Sequence, residues 1–140
     1  MKGYLVDTNV LSELRRPKRS PAVVEWFSSV HAEDLFLSVL TLGELRRGIE
    51  SLRNTDPTAA NALERWLTGI CEDFSEKILP VDATVAQHWG RLSMRQPLPS
   101  IEGLLAATAA VHDLTIVTRN TADFERSGVA ILNPFALSGA

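Results

Sequence analysis

Four carboxylates stand where a solvated surface does not account for them: Asp7, Glu44, Glu102 and Asp123. Asp7 directly follows the apolar run Gly3-Tyr4-Leu5-Val6, and Asp123 lies just beyond Thr115-Ile116-Val117-Thr118. Such runs read as buried strands, and open α/β sheets bind ligands in the crevice beyond their strands' carboxyl ends. Glu44 sits between Leu42 and Leu45 of an apolar stripe, where Gly43 removes bulk and lets another backbone or a ligand approach. Glu102 opens a segment with almost no other polar face, and a carboxylate there needs a partner or a metal ion. Each also has a plainer use. Asp7 and Asp123 suit helix caps, although Thr8 or Asn9 would serve as well for the first. Glu44 suits an i,i+3 pair with Arg47, worth a few tenths of a kcal/mol. Glu102, in a first helical turn, gains roughly 0.3–1 kcal/mol from the helix dipole.

Taken together, three or four carboxylates from distant segments would share one crevice, and such crowding is costly unless a cation relieves it. With oxygen donors and no Cys or His at ligand spacing, the cation is hard, Mg²⁺ or Mn²⁺. The chemistry that follows is metal-assisted phosphoryl displacement, in which the ion activates water and offsets charge on the phosphorus oxygens. Eleven of the fourteen basic residues are Arg, the better side chain for bidentate phosphate contacts. Arg15, Arg16, Lys18, Arg19, Arg46 and Arg47 cluster in the first part of the chain and are the candidates for holding a nucleic-acid backbone; a solvated face is the alternative. Two other carboxylate chemistries fit less well. A phosphoaspartate phosphatase wants a second Asp where Asn9 stands, and a receiver domain wants a Lys near Thr118-Arg119. No Gly-rich phosphate loop occurs.

The elements that must position these groups alternate between short apolar runs and helical periods. Strands are expected at 3–6, 35–38, 78–81, 115–118 and 129–132. A short helix over 10–15 is stopped by Pro17. Ser20-Pro21, Asp56-Pro57 and Asp82 open further helices, and Ser100 caps one that runs to about His112 and is apolar on nearly every side. The stripe Leu42, Leu45, Ile49 and Leu52 marks another. Strands separated by helices imply parallel crossovers. Trp26, Trp66 and Trp89 follow helical periods and read as core, or for Trp66 as a protein interface.

Composition narrows the class. The 140 residues are 45% hydrophobic and 22% charged, which suits one globular domain. Cys71 stands alone, so neither an internal disulfide framework nor a thiolate metal site is available. His31, His88 and His112 are too scattered for a His-based metal motif. The net charge of -3 means that nucleic-acid binding depends on a local basic patch. No targeting segment is visible and no stretch approaches the ~18–20 apolar residues of a bilayer span, so a cytoplasmic protein with no membrane partner is expected.

Five segments occur in a telling order: Leu5-Val6-Asp7-Thr8-Asn9; Leu37-Ser38 followed by Gly43-Glu44-Leu45-Arg46-Arg47-Gly48; Gly103-Leu104-Leu105-Ala106-Ala107-Thr108-Ala109; Val117-Thr118-Arg119-Asn120 with Asp123-Phe124; and Asn133-Pro134-Phe135. In that combination the chain resembles PIN-domain proteins, and among them the VapC-type toxins of prokaryotic toxin–antitoxin pairs. The resemblance runs from residue 4 to about 135. It implies a three-layer α/β/α sandwich with a small parallel sheet of four to five strands, one domain over 1–140. It also implies a Mg²⁺- or Mn²⁺-dependent endoribonuclease that hydrolyses RNA, commonly tRNA or rRNA, by metal-activated water. The family's acidic positions, catalytic and metal-binding, fall on Asp7, Glu44, Glu102 and Asp123; Thr8, Asn9, Thr118 and Asn120 support them. A homodimer is implied, and a cognate VapB-type antitoxin whose C-terminal part wraps the toxin.

One departure matters. The family usually has Asp where this chain has Glu102, and the extra methylene extends the carboxylate by ~1.5 Å. Mg²⁺ demands near-ideal octahedral geometry at about 2.0–2.1 Å. Either the helix sits further back, or Glu102 acts through water, or the metal site is weakened. The competing expectation is therefore a catalytically weakened PIN-like module that retains RNA or antitoxin binding.

Overall fold

Apolar runs of four residues with helices between them pair in parallel, because each crossover returns the chain to the same end of the sheet. The computed structural model, which describes residues 3–136, shows this arrangement. Strands β1 (Gly3–Val6), β2 (Leu35–Ser38), β3 (Ile78–Leu79), β4 (Leu114–Val117) and β5 (Ile131–Leu132) form one sheet in the order β3-β2-β1-β4-β5. Every pairing is parallel. β1 is central. Its register against β4 runs from Gly3↔Leu114 to Val6↔Val117, and the Asp7 N–H extends that ladder to the Val117 carbonyl at 2.9 Å. The carboxyl ends of the first and fourth strands are thereby locked side by side.

The helices are α1 (Thr8–Glu13), α2 (Pro21–Ser29), α3 (Val39–Leu52), α4 (Pro57–Asp73), α5 (Ala83–Arg95), α6 (Ser100–His112) and α7 (Thr121–Phe124). Alternation along β1 sends Leu5 and Val6 to opposite faces, and each joins a separate core. Val6 packs with Val10, Leu11, Val23, Leu45, Ile49 and Leu67, from α1 to α4. Leu5 packs with Leu92, Leu105, Ala106, Ala109, Ile116 and Phe124. Helices thus cover both faces, giving three layers.

Three helix starts are set as their sequences dictate. Ser20 accepts from the Val23 N–H, Asp56 from Ala59 and Asp82 from Val85, and Pro opens α2 and α4. The fourth differs. Ser100 is the first helical residue rather than the cap; Pro99 holds the cap position with no side-chain bond, and its carbonyl accepts from Gly103 N–H at 2.8 Å. The other limits shift slightly: the first helix starts at Thr8, two residues earlier than its apolar pattern, and the third and fifth strands shrink to two residues each.

α5 and α6 pack closely at Gly103. A Cβ there would lie 3.0 Å from Trp89 Nε1 and 3.1 Å from Cδ1. Gly103→Ala adds up to about 1 kcal/mol of helix propensity but overpacks this contact, at a cost of about 1–3 kcal/mol. A net loss of about 1 kcal/mol is expected in urea unfolding, with a shift in Trp89 emission.

Candidate functional site

Asp7 is the first residue beyond β1 and caps α1. The cap and the position expected to carry function therefore coincide in one side chain. Its Oδ1 accepts from Thr8 N–H at 2.8 Å. Its Oδ2 accepts from the Thr118 hydroxyl at 2.9 Å and, weakly, from Asn9 Nδ2 at 3.4 Å. Thr118, fully buried just past β4, is the hub. It donates to Asp7 and accepts from Asn9 Nδ2 at 3.2 Å and from Asn120 N–H at 3.0 Å. Asn9 Oδ1 in turn accepts from Arg119 N–H at 3.1 Å. The two loops are thereby stitched together.

Asp7 is only 9% exposed, and no cationic side chain pairs with it among the described residues. Burial pushes its carboxyl above the ordinary range; the bonds from Thr118 and Thr8 pull the other way, and the charges of Glu44 and Glu102 push it up further. Glu44, exposed on the first half of α3, accepts from the Thr8 hydroxyl at 2.6 Å. It makes no ion pair with Arg47 among the described residues. Gly43 beside it faces open space rather than a close neighbour. Glu102 lies half-buried in the first turn of α6.

Glu44 and Glu102 thus lie close enough to act electrostatically on Asp7. Asp123 stands apart on the exposed first turn of α7, with no side-chain bond among the described residues. The expected cage of four is not assembled: among the described residues no three acidic, His or Cys side chains are close enough to hold one ion as they stand. Like charges repel, and Thr8 fixes Glu44 where it is. The donor set is nonetheless all oxygen, around a buried anion without a counter-charge, and that chemistry fits a hard divalent cation.

The basic residues divide. Arg46 donates to both Glu64 oxygens at 2.7 Å and to Glu50 at 3.2 Å; with Arg53 it clamps α3 to α4. Arg16 pairs with buried Glu13 at 3.0 Å, and Arg19 donates to the Leu14 carbonyl. The Ser20 N–H, ahead of Arg16, holds the Glu13 carboxyl below its usual range, so these groups staple loop 14–20. Lys18 and Arg47 are exposed without a partner among the described residues. Sequence reading passed over Arg119, whose guanidinium stacks 3.8 Å from the Phe135 ring centroid next to the hub. An Arg directly after a strand was the available signal.

The clamp gives a pH test. Hydrogen bonds from Arg46 and Arg53 hold the Glu64 carboxyl at about 2, so its contribution is present above the unfolded value near 4.3 and fades as pH falls toward about 2. Glu64→Gln is expected to cost little near neutrality, since the pair is solvent-exposed and screened. The difference from the parent should shrink in acid unfolding.

A PIN domain model matches residues 4–129. The toxin FitB of Neisseria gonorrhoeae is 38% identical over 137 residues, 94% of this chain and 97% of the relative. The VapC ribonuclease Y4jK of Sinorhizobium fredii is 29% identical over 137 residues, covering 94% and 96%. The crystal structure of FitAcB from N. gonorrhoeae superposes with a TM-score of 0.87 at 36% identity, over 95% of this chain and 99% of that one.

Proposed function

Because the chain belongs to the PIN domain family, we propose that it is a metal-dependent endoribonuclease, the toxin of a type II toxin–antitoxin pair. One observation carries the reading: Asp7, buried at the end of the central strand with only neutral donors, faces Glu44 and Glu102. Asp7, Glu44 and Glu102, with Asp123 from α7, would hold Mg²⁺ or Mn²⁺. When bound, such an ion lowers the pKa of water and offsets charge on the phosphoryl oxygens.

The chain's own residues prepare the site. Thr118 and Thr8 N–H fix the two oxygens of Asp7, and the Asn9–Thr118–Asn120 network keeps the loops after β1 and β4 in register. Arg119, held on Phe135, supplies positive charge beside that network, and Lys18 and Arg47 are free to meet the RNA backbone. A VapB-type antitoxin as inhibitor and a homodimer follow from the family resemblance. No helix among the described residues is long and apolar enough to cross a membrane, and a cytoplasmic setting accords with an RNA substrate.

The test is direct. Purified chain incubated with tRNA and rRNA should cleave with Mg²⁺ or Mn²⁺ and stop on adding EDTA, and co-purified antitoxin should suppress cleavage. The unassembled carboxylates and Glu102 favour a second reading, a weakened module that binds RNA or antitoxin without cutting. Binding that persists with either ion while no new RNA ends form would select it.

A further inference from the structure

Next to the carboxylates, α1, α3 and α4 leave an open pocket of about 340 Å³, lined by Thr8, Ser12, Arg15, Glu44, Leu63 and Trp66 among others. Its size falls at the lower end for small-molecule sites, roughly 300–1,000 Å³. We propose that it receives one nucleobase of single-stranded RNA, from a nucleotide adjoining the phosphate presented to Asp7. The inference rests on the nuclease reading and deepens it.

Three features select a base. Trp66 packs against the core and the Arg15 guanidinium lies over its ring, 5.3 Å from the centroid, so a base face can stack on this planar cation or take its place on the indole. The lining is mainly apolar with a hydroxyl from Ser12, matching apolar base faces and polar edges. The pocket also reaches one of the carboxylates, Glu44. Thr8 and Glu44 line it and are joined by the 2.6 Å hydrogen bond beside Asp7. Glu44 at this end disfavours a phosphate, so the neutral base enters rather than the backbone. Arg15, expected from sequence to grip the backbone, thereby belongs to base stacking.

The probes are a labelled single-stranded 2′-O-methyl oligonucleotide of mixed sequence and its fully abasic counterpart, read by fluorescence anisotropy on the whole chain. The parent should prefer the probe that carries bases. Trp66→Ala should weaken that probe roughly 5- to 150-fold, the span of base–aromatic stacking, and leave the abasic probe unchanged. Trp66→Phe should retain most of the preference. Arg15→Gln, at an exposed position that leaves folding intact, should lose part of it. Equal losses on both probes would overturn the inference, as would a parent that cleaves RNA while all variants match it; neither touches the nuclease reading. Variants that keep RNA binding but lose a partner polypeptide would make the pocket a protein-docking groove instead. A parent that neither binds nor cleaves RNA would remove both readings.

Discussion

Asp7→Asn is expected to abolish RNA cleavage while leaving the protein folded. Loss of a residue that merely orients a metal ligand costs about 10–100-fold, so neutralising the buried anion itself should cost at least about 100-fold in kcat/KM. Asn keeps an oxygen for the Thr8 N–H, so the α1 cap survives. Two further readouts separate this from a folding defect. If the proposed site binds Mn²⁺, a hundredfold excess over its Kd should stabilise the parent by about 2.7 kcal/mol, a Tm rise on the order of 10 °C, whereas the variant should not move. The second is pH. Burial raises the Asp7 carboxyl above its unfolded value, so stability present below about pH 4 is lost as pH rises through the folded value. Asn carries no such loss. The stability of Asp7→Asn relative to the parent should therefore climb from acid to neutral pH in urea unfolding. A variant that still cuts, or still gains Tm with Mn²⁺, would remove Asp7 from the site.

Thr118→Val is the second large effect. The side chains are nearly equal in size, but the hydroxyl donates to Asp7 and accepts from Asn9 and Asn120 with no solvent access. Its removal strands these polar groups, at about 1–3 kcal/mol of stability. Because the Thr118 bond lowers the Asp7 carboxyl, its loss lets that carboxyl rise further. Cleavage should fall about 10–100-fold, and the acid limb of the pH–rate profile should move to higher pH. Thr118→Ser should restore both. A uniform fall in rate with an unmoved acid limb would mean that Thr118 serves packing alone.

Much of this was legible in the residues. Apolar runs marked the strands, Ser-Pro and Asp-Pro marked helix starts, and an acid directly after Val6 marked the crevice. What stayed hidden depends on long-range partners. Arg46 looked like a free phosphate ligand because Glu64, its bidentate partner, lies a helix away. Gly43 looked like a point of close approach because a missing side chain does not say what faces it; space does. The family resemblance alone marks Thr118 as a supporting residue, since a threonine ending a strand is by itself a common β former, and only the packed sheet shows its hydroxyl as a hub. The pattern put four acids at one crevice. Among the described residues Glu44 and Glu102 act electrostatically on Asp7, and Asp123 is exposed on its short helix, because how near side chains come depends on how the helices dock and not on their spacing in the chain.

The hub also carries a consequence for synthesis. Asp7 and Thr118 are 111 residues apart, so the bond that orients the buried acid forms only after the chain through Thr118 has left the ribosome. A nascent chain stalled before its fourth strand holds Asp7 by the Thr8 N–H and Asn9 alone, without the buried hydroxyl that fixes its second oxygen. Order of synthesis thus puts the aiming of the buried acid behind the folding of every element from the first strand to the fourth, so the site cannot ripen ahead of its own scaffold.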